Sequence, residues 1–453
     1  MKTTSRLSIL FFVAVLAGLP LLKTHAEIKK PRVIVMTDGE IDDHSSMIRF
    51  LLYTCDIDIC AIIETNSIFQ KKGHSNEDWY EKQLDAYEKI YPNLIKHNSD
   101  YPTAAHLRSI SFVGDEVFDR VKDLRDKRWE LIPGGTIMMK PDDWADTPGS
   151  DKIVEVLLED NPDPVFIQAW GGGNTAARAF YKLKTQYPND YKRAVSKVTM
   201  YNIWYQDGAG NYIENYHPDV TMLYCGSFSG TWDYNSQKNT YDFVANNVKS
   251  NHGALGALYP QDYISEGDSP SYFYTMNNGL RNHEKPGYGG WGGRFEKTVL
   301  FPNVYQDAVE DGDKKKSLRI WIDDVNRNYE TRMDWCVAEK YEDANHEPIV
   351  KIDGDLDITV SSGRTIKLNG KKTTDPDGNK LSFKWWQYKE AGTYDGLVEI
   401  KGSDKATLSF KAPLVSKPET IHIIFQVTDN GKPVLDSYQR VIITVEPYKT
   451  VIY

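Results

Sequence analysis

Short β-branched strands alternate with amphipathic helical segments through the first two thirds of the chain, and this alternation restricts the fold more than any other feature. Residues 32–37 (RVIVMT) form the first such run, and apolar side chains then recur at helical spacing from Ile41 to Leu52. The same order recurs around residues 57–65 (IDICAIIET), 164–170 (PVFIQAW) and 196–204 (SKVTMYNIW). Strands separated by helices predict βαβ units, a mostly parallel α/β sheet with flanking helices, and ligand sites at the carboxyl ends of the strands.

The pattern changes near residue 348, where short alternating segments separated by turn residues replace the helices. Examples are residues 364–370 (RTIKLNG) and 420–429 (TIHIIFQVTD). Such spacing predicts an all-β, antiparallel sandwich of immunoglobulin-like or cadherin-like size. A chain of 453 residues is also too long for one ordinary core. We therefore expect an α/β domain at 27–300, a charged and partly helical connector at 301–347, and a β-sandwich at 348–453.

The first 26 residues differ from the rest, because a basic start precedes a short apolar run that ends at small residues. This pattern is typical of a signal peptide, so we expect residues 1–26 to be removed and the protein to be exported to the periplasm or the extracellular space. The formal net charge is −10. An acidic chain argues against a nucleic-acid polymer or an anionic membrane as partner, and no stable membrane insertion is expected. The oligomeric state stays open.

The four cysteines are scattered without the C-x-x-C spacing of a zinc site. We expect reduced, partly buried thiols, with a bond between Cys55 and Cys60 as the alternative. Neither arrangement makes a disulfide framework in a chain of this length.

Residues 38–43 (DGEIDD) place four acidic side chains at the end of the first strand, where a helix follows. Such carboxylates repel one another unless a positive charge lies between them, and a hard cation with oxygen ligands satisfies this need. The alternative is a solvated acidic turn in which Asp42 or Asp43 caps the helix.

Two other segments belong with this cluster. Residues 266–271 (EGDSPS) form a second acidic turn, and residues 170–174 (WGGGN) follow a predicted strand and open a helix. The glycine-rich turn lacks the spacing of either nucleotide fingerprint and has no P-loop lysine. We interpret it as a loop that lets a sugar or a metal approach the backbone closely.

These motifs carry a resemblance to a known family. TDGEIDD resembles the aspartate motif of the inosine-uridine nucleoside hydrolases. AWGGGNTAARA, EGDSPSYFY and GYGGWGGRF, with the β-sandwich after them, resemble the secreted nucleoside-hydrolase-like proteins often labelled cellulose-binding. The resemblance spans nearly the whole chain after residue 26. It implies a nucleoside-hydrolase-like sheet followed by an immunoglobulin-like sandwich.

The resemblance also implies a Ca²⁺ site. Asp38, Asp43 and Asp268 match the positions of Ca²⁺ ligands, and a carbonyl near Trp170 or Gly171 matches a backbone ligand. Asp38 is further implied as the general base that acts on a water held by the ion, and Asp42 as the carboxylate that holds a sugar hydroxyl. An additional aspartate of true nucleoside hydrolases is replaced here by Met36, which departs from their motif.

The substrate side of the site is less defined by sequence. We expect Asp42, Trp170, Asn174, Asp207, Glu266 and Trp291 to contact the substrate. Glu266, Asp207 and His44 are candidates for the acid that protonates the leaving group, although a lone histidine beside an acidic turn is more often structural. The glycine-rich loop that carries Trp291 suits either a lid that stacks on a sugar ring or packing between domains.

The sequence therefore predicts an exported, Ca²⁺-dependent hydrolase that cleaves an N- or O-glycosyl bond of a carbohydrate or glycoside substrate. The alternative is a non-catalytic protein that binds cellulose or another glycan. A third hypothesis is a scaffold or surface protein without a functional metal site.

Overall fold

The structure is a computed structural model that describes residues 29–232, 241–261 and 265–448. The signal peptide expected at residues 1–26 lies outside the described residues. Among the helices of these ranges, none combines the length and the apolar character needed to cross a bilayer.

Eight strands form the main sheet, in the spatial order β3-β2-β1-β4-β5-β6-β8-β7. Their bounds are β1 Arg32–Thr37, β2 Asp58–Glu64, β3 Ser111–Val113, β4 Val165–Ala169, β5 Val198–Ile203, β6 Thr221–Cys225, β7 Phe295–Lys297 and β8 Val304–Asp307. All neighbouring pairs are parallel except β7 with β8. The predicted mostly parallel α/β sheet is confirmed.

Helices connect these strands and pack against the sheet. Their bounds are α1 Ile41–Leu51, α2 Trp79–His97, α3 Ala104–Ser109, α4 Phe118–Val121, α5 Pro148–Leu158, α6 Asn174–Gln186, α7 Tyr191–Val195, α8 Ala209–Tyr216, α9 Tyr241–Val244, α10 Gly253–Ala257, α11 Ser269–Phe273, α12 Lys316–Arg319 and α13 Ile322–Trp335. Short 3₁₀ turns span Thr54–Asp56, Arg125–Glu130, Pro141–Asp143, Asn282–Glu284, Tyr341–Asp343 and Lys389–Ala391.

Strand β1 shows why this sheet is buried on both faces. Val33 and Val35 belong to one hydrophobic core, whereas Ile34 and Met36 belong to a second core on the opposite face. All four side chains are fully buried. Successive strand residues point to opposite faces, so a continuous apolar run fits a parallel sheet that is covered by helices on both sides.

The C-terminal part contains a four-stranded sheet in the order β11-β13-β14-β9 and a two-stranded sheet of β10 and β12. The strands are β9 Asp357–Ser361, β10 Thr365–Asn369, β11 Ser382–Gln387, β12 Thr407–Lys411, β13 Glu419–Thr428 and β14 Asp436–Glu446. The predicted β-sandwich class is confirmed, with one difference: β14 and β9 pair in parallel, whereas the other pairs are antiparallel. Strand β9 lies at the edge, where a strand can enter in either direction.

The main sheet continues past residue 300. Strands β7 and β8 pair with each other, and the expected boundary at residue 300 falls between them. These strands are short and polar, with Glu296, Lys297, Gln306 and Asp307 among their residues. Their sequence therefore lacks the apolar signal that marks the central strands.

A buried cation joins the sandwich to the first domain. Arg440 of β14 is fully buried and donates from Nε to Leu280 O (2.5 Å) and from Nη2 to Gly289 O (2.6 Å). Its Nη1 donates to His422 Nδ1 (2.9 Å). Burial lowers the pKa of Arg440 to about 10. Carbonyl groups of one domain therefore satisfy a guanidinium supplied by the other.

The neighbouring tryptophans of β11 face opposite sides, as strand geometry requires. Trp385 is buried and stacks on Phe425 in the sandwich core, at 4.0 Å between ring centroids. Trp386 is half-buried, and its ring centroid lies 5.8 Å from that of Trp321, in the segment expected as the connector. All four cysteines carry free thiols, in line with the reduced state that the sequence favours.

Candidate functional site

Three aspartates from distant parts of the chain converge at the carboxyl end of β1. Asp42 and Asp43 lie in the first turn of α1, and Asp268 directly precedes α11. One carboxylate oxygen from each residue lies within 4.8 Å of those of the other two. Asp43 and Asp268 are buried, and Asp42 is half-buried. A divalent cation with oxygen ligands matches this grouping.

Asp38 lies directly beside this group. Its backbone amide donates to Asp43 Oδ1 (3.1 Å), and the Thr37 hydroxyl donates to the same oxygen. The exposed fractions of Asp38 and Asp43 are only 2% and 1%. These bonds fix the carboxylate of Asp43 against the end of β1.

The acidic groups share an environment that disfavours their charged forms. Burial raises the pKa of Asp43 and of Asp268 well above the usual range, and the neighbouring carboxylates raise both further. Burial also raises the pKa of Asp38. The pKa of Glu40 rises to about 8 through burial and through the charges of Asp42 and Asp38. A cation at this position would favour the ionised carboxylates.

The donor set fits a hard cation. Asp268 Oδ2 is buried and has no hydrogen-bond partner among the described residues. The group offers only carboxylate oxygen atoms, with neither thiolate nor imidazole among the three converging side chains. Such ligands suit Ca²⁺ or Mg²⁺ better than zinc or copper.

A buried ion pair holds Asp268 against α1. Arg49 Nε lies 2.5 Å from Glu266 Oε2, and neither side chain is exposed. The Tyr259 hydroxyl donates to Glu266 Oε1 (2.6 Å). Because Glu266 precedes Asp268 by two residues, the ion pair fixes where the distant aspartate enters the site. Glu266 is therefore a buried, paired carboxylate that positions this segment, and its contact with substrate or its role as an acid stays a prediction.

The glycine-rich turn after β4 approaches Asp38 closely. A Cβ atom at Gly171 would lie 2.6 Å from Asp38 Cβ, a distance that only glycine avoids. The Gly172 amide donates to Asn66 O (3.1 Å). The Trp170 carbonyl, expected near the metal, accepts a hydrogen bond from Gln206 Nε2. This turn therefore forms the wall of the site opposite α1.

Asn174 and Asp207 stabilise this turn through hydrogen bonds. Asp207 Oδ2 accepts from the Asn174 amide (3.0 Å), and Asp207 Oδ1 accepts from the Ala209 amide (2.8 Å). Asn174 Nδ2 donates to Asn66 Oδ1 (2.6 Å). Asn174 and Asp207 are buried, and burial raises the pKa of Asp207 to about 6. Both oxygens of Asp207 accept backbone amides, so these hydrogen bonds stabilise the turn, and substrate contact by Asn174 and Asp207 stays a prediction.

Both tryptophans expected at the substrate are packed among aromatic rings. Trp170 is fully buried and meets Phe50 edge-on, at 5.7 Å between ring centroids. Trp291 lies 6.3 Å from Phe273 and 6.4 Å from Tyr438 of the sandwich. Its loop packs between the domains, which was the alternative to a lid. Both indole rings are buried, and their contact with a substrate stays a prediction.

His44 lies in a hydrophobic environment. Its ring stacks on Trp79 with centroids 4.5 Å apart. Burial lowers the pKa of His44 to about 4, so the imidazole is neutral near pH 7. A neutral imidazole of this kind is a poor source of a proton for a leaving group.

Sequence reasoning did not single out several residues at the rim of the site. The Ser67 side chain lowers the pKa of Asp38, and its hydroxyl oxygen accepts from the amides of Phe69 (3.0 Å) and Gln70 (3.2 Å). Trp204 has a left-handed backbone (φ 56°), and its ring lies 4.7 Å from that of Phe228. Ser67 and Trp204 each follow the carboxyl end of a parallel strand, the edge at which α/β sheets bind ligands. That position was the signal that could have identified them.

Comparison with known proteins gives two family matches. The family model described as "Cellulose-binding Sde182, nucleoside hydrolase-like domain" matches residues 32–295. The model described as "Cellulose-binding protein Sde0182, C-terminal domain" matches residues 365–445. Among the curated proteins, none matches this chain.

One solved structure is similar over nearly the whole length. It is a nucleoside hydrolase-related protein from Saccharophagus degradans that is associated with carbohydrate metabolism. The two chains are 30% identical with a TM-score of 0.79, and the comparison covers 92% of this chain and 100% of the other.

Two other solved structures are less similar. A plant nucleoside hydrolase is 15% identical, with a TM-score of 0.34 over 65% of this chain and 98% of its own. The PKD domain of the KIAA 1837 protein is 20% identical, with a TM-score of 0.17 over 22% of this chain and 90% of its own. Similarity at this level carries no functional argument.

Proposed function

Because the chain belongs to the family of cellulose-binding, nucleoside hydrolase-like Sde182 proteins, we propose that it is an exported, Ca²⁺-dependent hydrolase of glycosyl bonds. The substrate class is a carbohydrate or glycoside, cleaved at an N- or O-glycosyl bond. The convergence of Asp42, Asp43 and Asp268 beside Asp38 is the observation that carries this proposal.

Each acidic residue has a distinct role in this proposal. Asp43 and Asp268 would hold the ion together with the adjacent Asp38, and Asp42, the third and most accessible member of the converging group, would hold a sugar hydroxyl. A bound Ca²⁺ supplies a hard positive charge that orients vicinal hydroxyl groups and favours deprotonation of water. The buried position of the site keeps these interactions strong, because little solvent screens them.

Asp38 acts as the general base. Its carboxylate takes one proton of the attacking water as the water oxygen bonds to the oxocarbenium-like anomeric carbon; the electron pair of the glycosyl bond leaves with the aglycone atom, which takes a proton from solvent water. Burial alone holds the pKa of Asp38 above its usual range, so the ionised base requires positive charge nearby. The Ser67 side chain lowers the pKa of Asp38 and so favours the ionised form.

A product assay tests this function directly. Furanosides, nucleosides and plant or host glycans are incubated with the protein, with Ca²⁺ or with a chelator, and released sugar is measured. We expect Ca²⁺-dependent release by the parent protein and none by Asp38→Asn, which keeps the size of the side chain but removes the base. The exposed Asp119→Asn serves as the matched control. Undiminished release by Asp38→Asn would contradict the assigned base.

A second candidate function is carbohydrate binding without catalysis, which the family description "cellulose-binding" favours. In that case the aspartate site captures a glycan and no bond breaks. Calorimetric titration on the same substrate panel separates the two functions, since binding without released sugar supports capture alone.

A further inference from the structure

Trp204 lies at the carboxyl edge of the main sheet, across from the proposed base. In the sheet register, Met36 pairs with Ala169, and Ala169 pairs with Asn202. Asp38 and Trp204 each follow their register residue by two positions, on strands that β4 separates. Since neighbouring strands lie about 4.8 Å apart, the backbones of Asp38 and Trp204 are roughly 10 Å apart. They therefore flank a gap wide enough for one sugar ring.

The glycine-rich turn after β4 lies between these two residues. Gly171 follows Ala169 by two positions, so it is level with Asp38 and Trp204 in the register. Neither Gly171 nor Gly172 projects a side chain into the gap. The turn can therefore form the floor under a ring whose two ends face Asp38 and Trp204.

The backbone and the exposure of Trp204 set it apart from its neighbours. It is the one residue between Met200 and Glu214 that is not buried. Its backbone is left-handed (φ 56°), which is unfavourable for a bulky side chain, and residues in such conformations cluster at functional sites. Its Nε1 makes no hydrogen bond to a described residue and, unlike Nε1 of Trp170, is not a buried atom. The indole thus offers accessible surface and a free N–H donor.

A buried aromatic ring fixes the indole. Phe228, which follows β6, lies 4.7 Å from it between ring centroids, with the two planes 67° apart. Asp307 of β8 fixes the turn that carries Phe228, because its Oδ2 accepts from the amides of Gly226 (2.6 Å) and Ser227 (2.9 Å). An indole that is held in place before binding loses little freedom when a ligand packs on it.

Phe228 also connects the indole to the acidic group. A Cβ atom at Gly267 would lie 2.7 Å from Asp42 Oδ2 and 3.2 Å from Phe228 Cδ2. Asp42 and the aromatic pair of Phe228 and Trp204 therefore border the same part of the site. A sugar whose hydroxyl group is held by Asp42 lies beside this pair.

The shape of a sugar ring decides how well it packs on an indole. In the chair of a β-glucopyranoside or a β-xylopyranoside the substituents are equatorial, so each face of the ring consists of C–H groups. A nucleoside carries its base and its hydroxymethyl group on one face of the furanose and two hydroxyl groups on the other. Because neither face of that furanose is flat and apolar, the pyranoside gains more from an aromatic surface.

We propose that Trp204 determines the substrate specificity of this site and selects pyranosides with equatorial hydroxyl groups over furanosides and nucleosides. The C–H face of the reacting sugar packs against the indole, and a ring hydroxyl group accepts a hydrogen bond from Nε1. This inference rests on the proposed function and narrows its substrate class.

Calorimetric titration in Ca²⁺ with methyl glycosides tests the role of Trp204, because their poor leaving groups allow binding to be measured with little turnover. The probes are methyl β-D-glucopyranoside, methyl β-D-xylopyranoside, methyl β-D-ribofuranoside and methyl α-L-arabinofuranoside. We expect the pyranosides to bind more tightly, and Trp204→Gly to weaken their binding about tenfold or more. Glycine accepts the left-handed backbone, so this loss reports the missing ring rather than strain. Trp204→Phe, which keeps an aromatic face, should retain most of the binding.

The furanosides provide the internal comparison. Their binding should change less than about threefold in Trp204→Gly, so the preference for pyranosides shrinks. A purely structural role of Trp204 would instead weaken both classes alike. Asn251→Gly is the matched control, because Asn251 is exposed and also has a left-handed backbone (φ 64°). It should bind both classes like the parent protein.

Three results would overturn the proposal: no binding of either pyranoside, tighter binding of a furanoside by the parent protein, or equal losses for both classes in Trp204→Gly. Release of nitrophenol from nitrophenyl glycosides of the same sugars tests the hydrolase function separately. Selective binding without release would contradict catalysis and leave the role of Trp204 intact. Thermal melting confirms that each variant is folded. If Trp204→Gly does not fold, Trp204→Asn replaces it, since asparagine also tolerates the left-handed conformation.

Discussion

Arg49 of α1 is the buried counter-ion of Glu266, although 217 residues separate them along the chain. The guanidinium also lies 3.9 Å from the centroid of the Tyr329 ring. One side chain of the first helix thus determines the position of the segment that supplies Asp268. The acidic site depends on this pair, even though neither residue belongs to the metal-binding group.

Removing the charge of Glu266 should therefore destabilise the protein strongly. Glu266→Gln leaves Arg49 buried without its counter-ion, which typically costs about 3–5 kcal/mol. Urea unfolding measures the loss in free energy of unfolding. Glu88→Gln, at an exposed contact with Arg108, is the control and should change stability little. Equal, small losses in the two variants would contradict the importance of the buried pair.

Stabilisation by Ca²⁺ should increase with pH. Without an ion, the raised pKa values of Asp38, Asp43, Asp268 and Glu40 mean that the folded protein holds more protons than the unfolded chain above about pH 4, and for Glu40 this range extends to about pH 8. Their contribution to stability is present at acidic pH and is lost as the pH rises. Bound Ca²⁺ should reverse that loss.

The measurement is the difference in free energy of unfolding with Ca²⁺ and with chelator, at pH 5 and at pH 8. In this difference, the contributions of titratable groups that Ca²⁺ does not affect cancel. Asp268→Asn should reduce it at both pH values. If Ca²⁺ raised the free energy of unfolding more at pH 5 than at pH 8, the result would contradict the prediction.

Gly171→Ala should impair the site without a general loss of stability elsewhere. The added Cβ would lie 2.6 Å from both Cβ and Cγ of Asp38, so the proposed base must shift. A misplacement of this kind can cost about 100-fold in kcat/KM. The rise in Tm on adding Ca²⁺ should also shrink.

Gly173→Ala is the matched control, because its nearest neighbour is the flexible end of Met200 at 3.2 Å. This variant should retain most of the activity and the Ca²⁺ response. Identical behaviour of the two variants would show that the close approach of Gly171 to Asp38 is unimportant.

Acidification should weaken the protein partly through His422. Burial and the charge of Arg440 lower the pKa of His422 to about 3, so the folded protein keeps this imidazole neutral. The unfolded chain protonates it below about pH 6.5. Its contribution is therefore present above that pH and is lost as the pH falls, by roughly 2 kcal/mol at pH 5.

His422→Gln keeps an acceptor for Arg440 but does not titrate. Its free energy of unfolding should fall less than that of the parent protein between pH 7 and pH 5. His106→Gln, at an exposed position, is the control. Equal pH dependence of the parent protein and His422→Gln would refute the assignment.

The first strand and helix could be predicted from sequence because their signals are local. The apolar run at residues 32–37 and the helical spacing from Ile41 onward determine β1 and α1 without help from distant contacts. The acidic residues between them must then lie at the carboxyl edge of the sheet. Local pattern therefore predicted both the fold class and the place of the candidate site.

Roles that depend on distant partners could not be predicted in this way. Glu266 looks like a candidate acid in sequence, and only its contact with Arg49 shows that it is a buried counter-ion. Trp291 lies in a glycine-rich loop suited to a lid, but the sandwich covers it through Tyr438. The short polar strands β7 and β8 have too weak an apolar pattern to reveal that the sheet continues.

The attachment of Arg440 to the carbonyls of Leu280 and Gly289 limits how this architecture can be cut or recombined. A fragment that ends before β14 leaves those carbonyls without their donor. An isolated sandwich would expose the guanidinium of Arg440 and lose both of its hydrogen bonds to these carbonyls. The C-terminal module is consequently not an interchangeable attachment: we expect the two halves to melt in one transition and grafted substitutes to fail unless they restore this arginine.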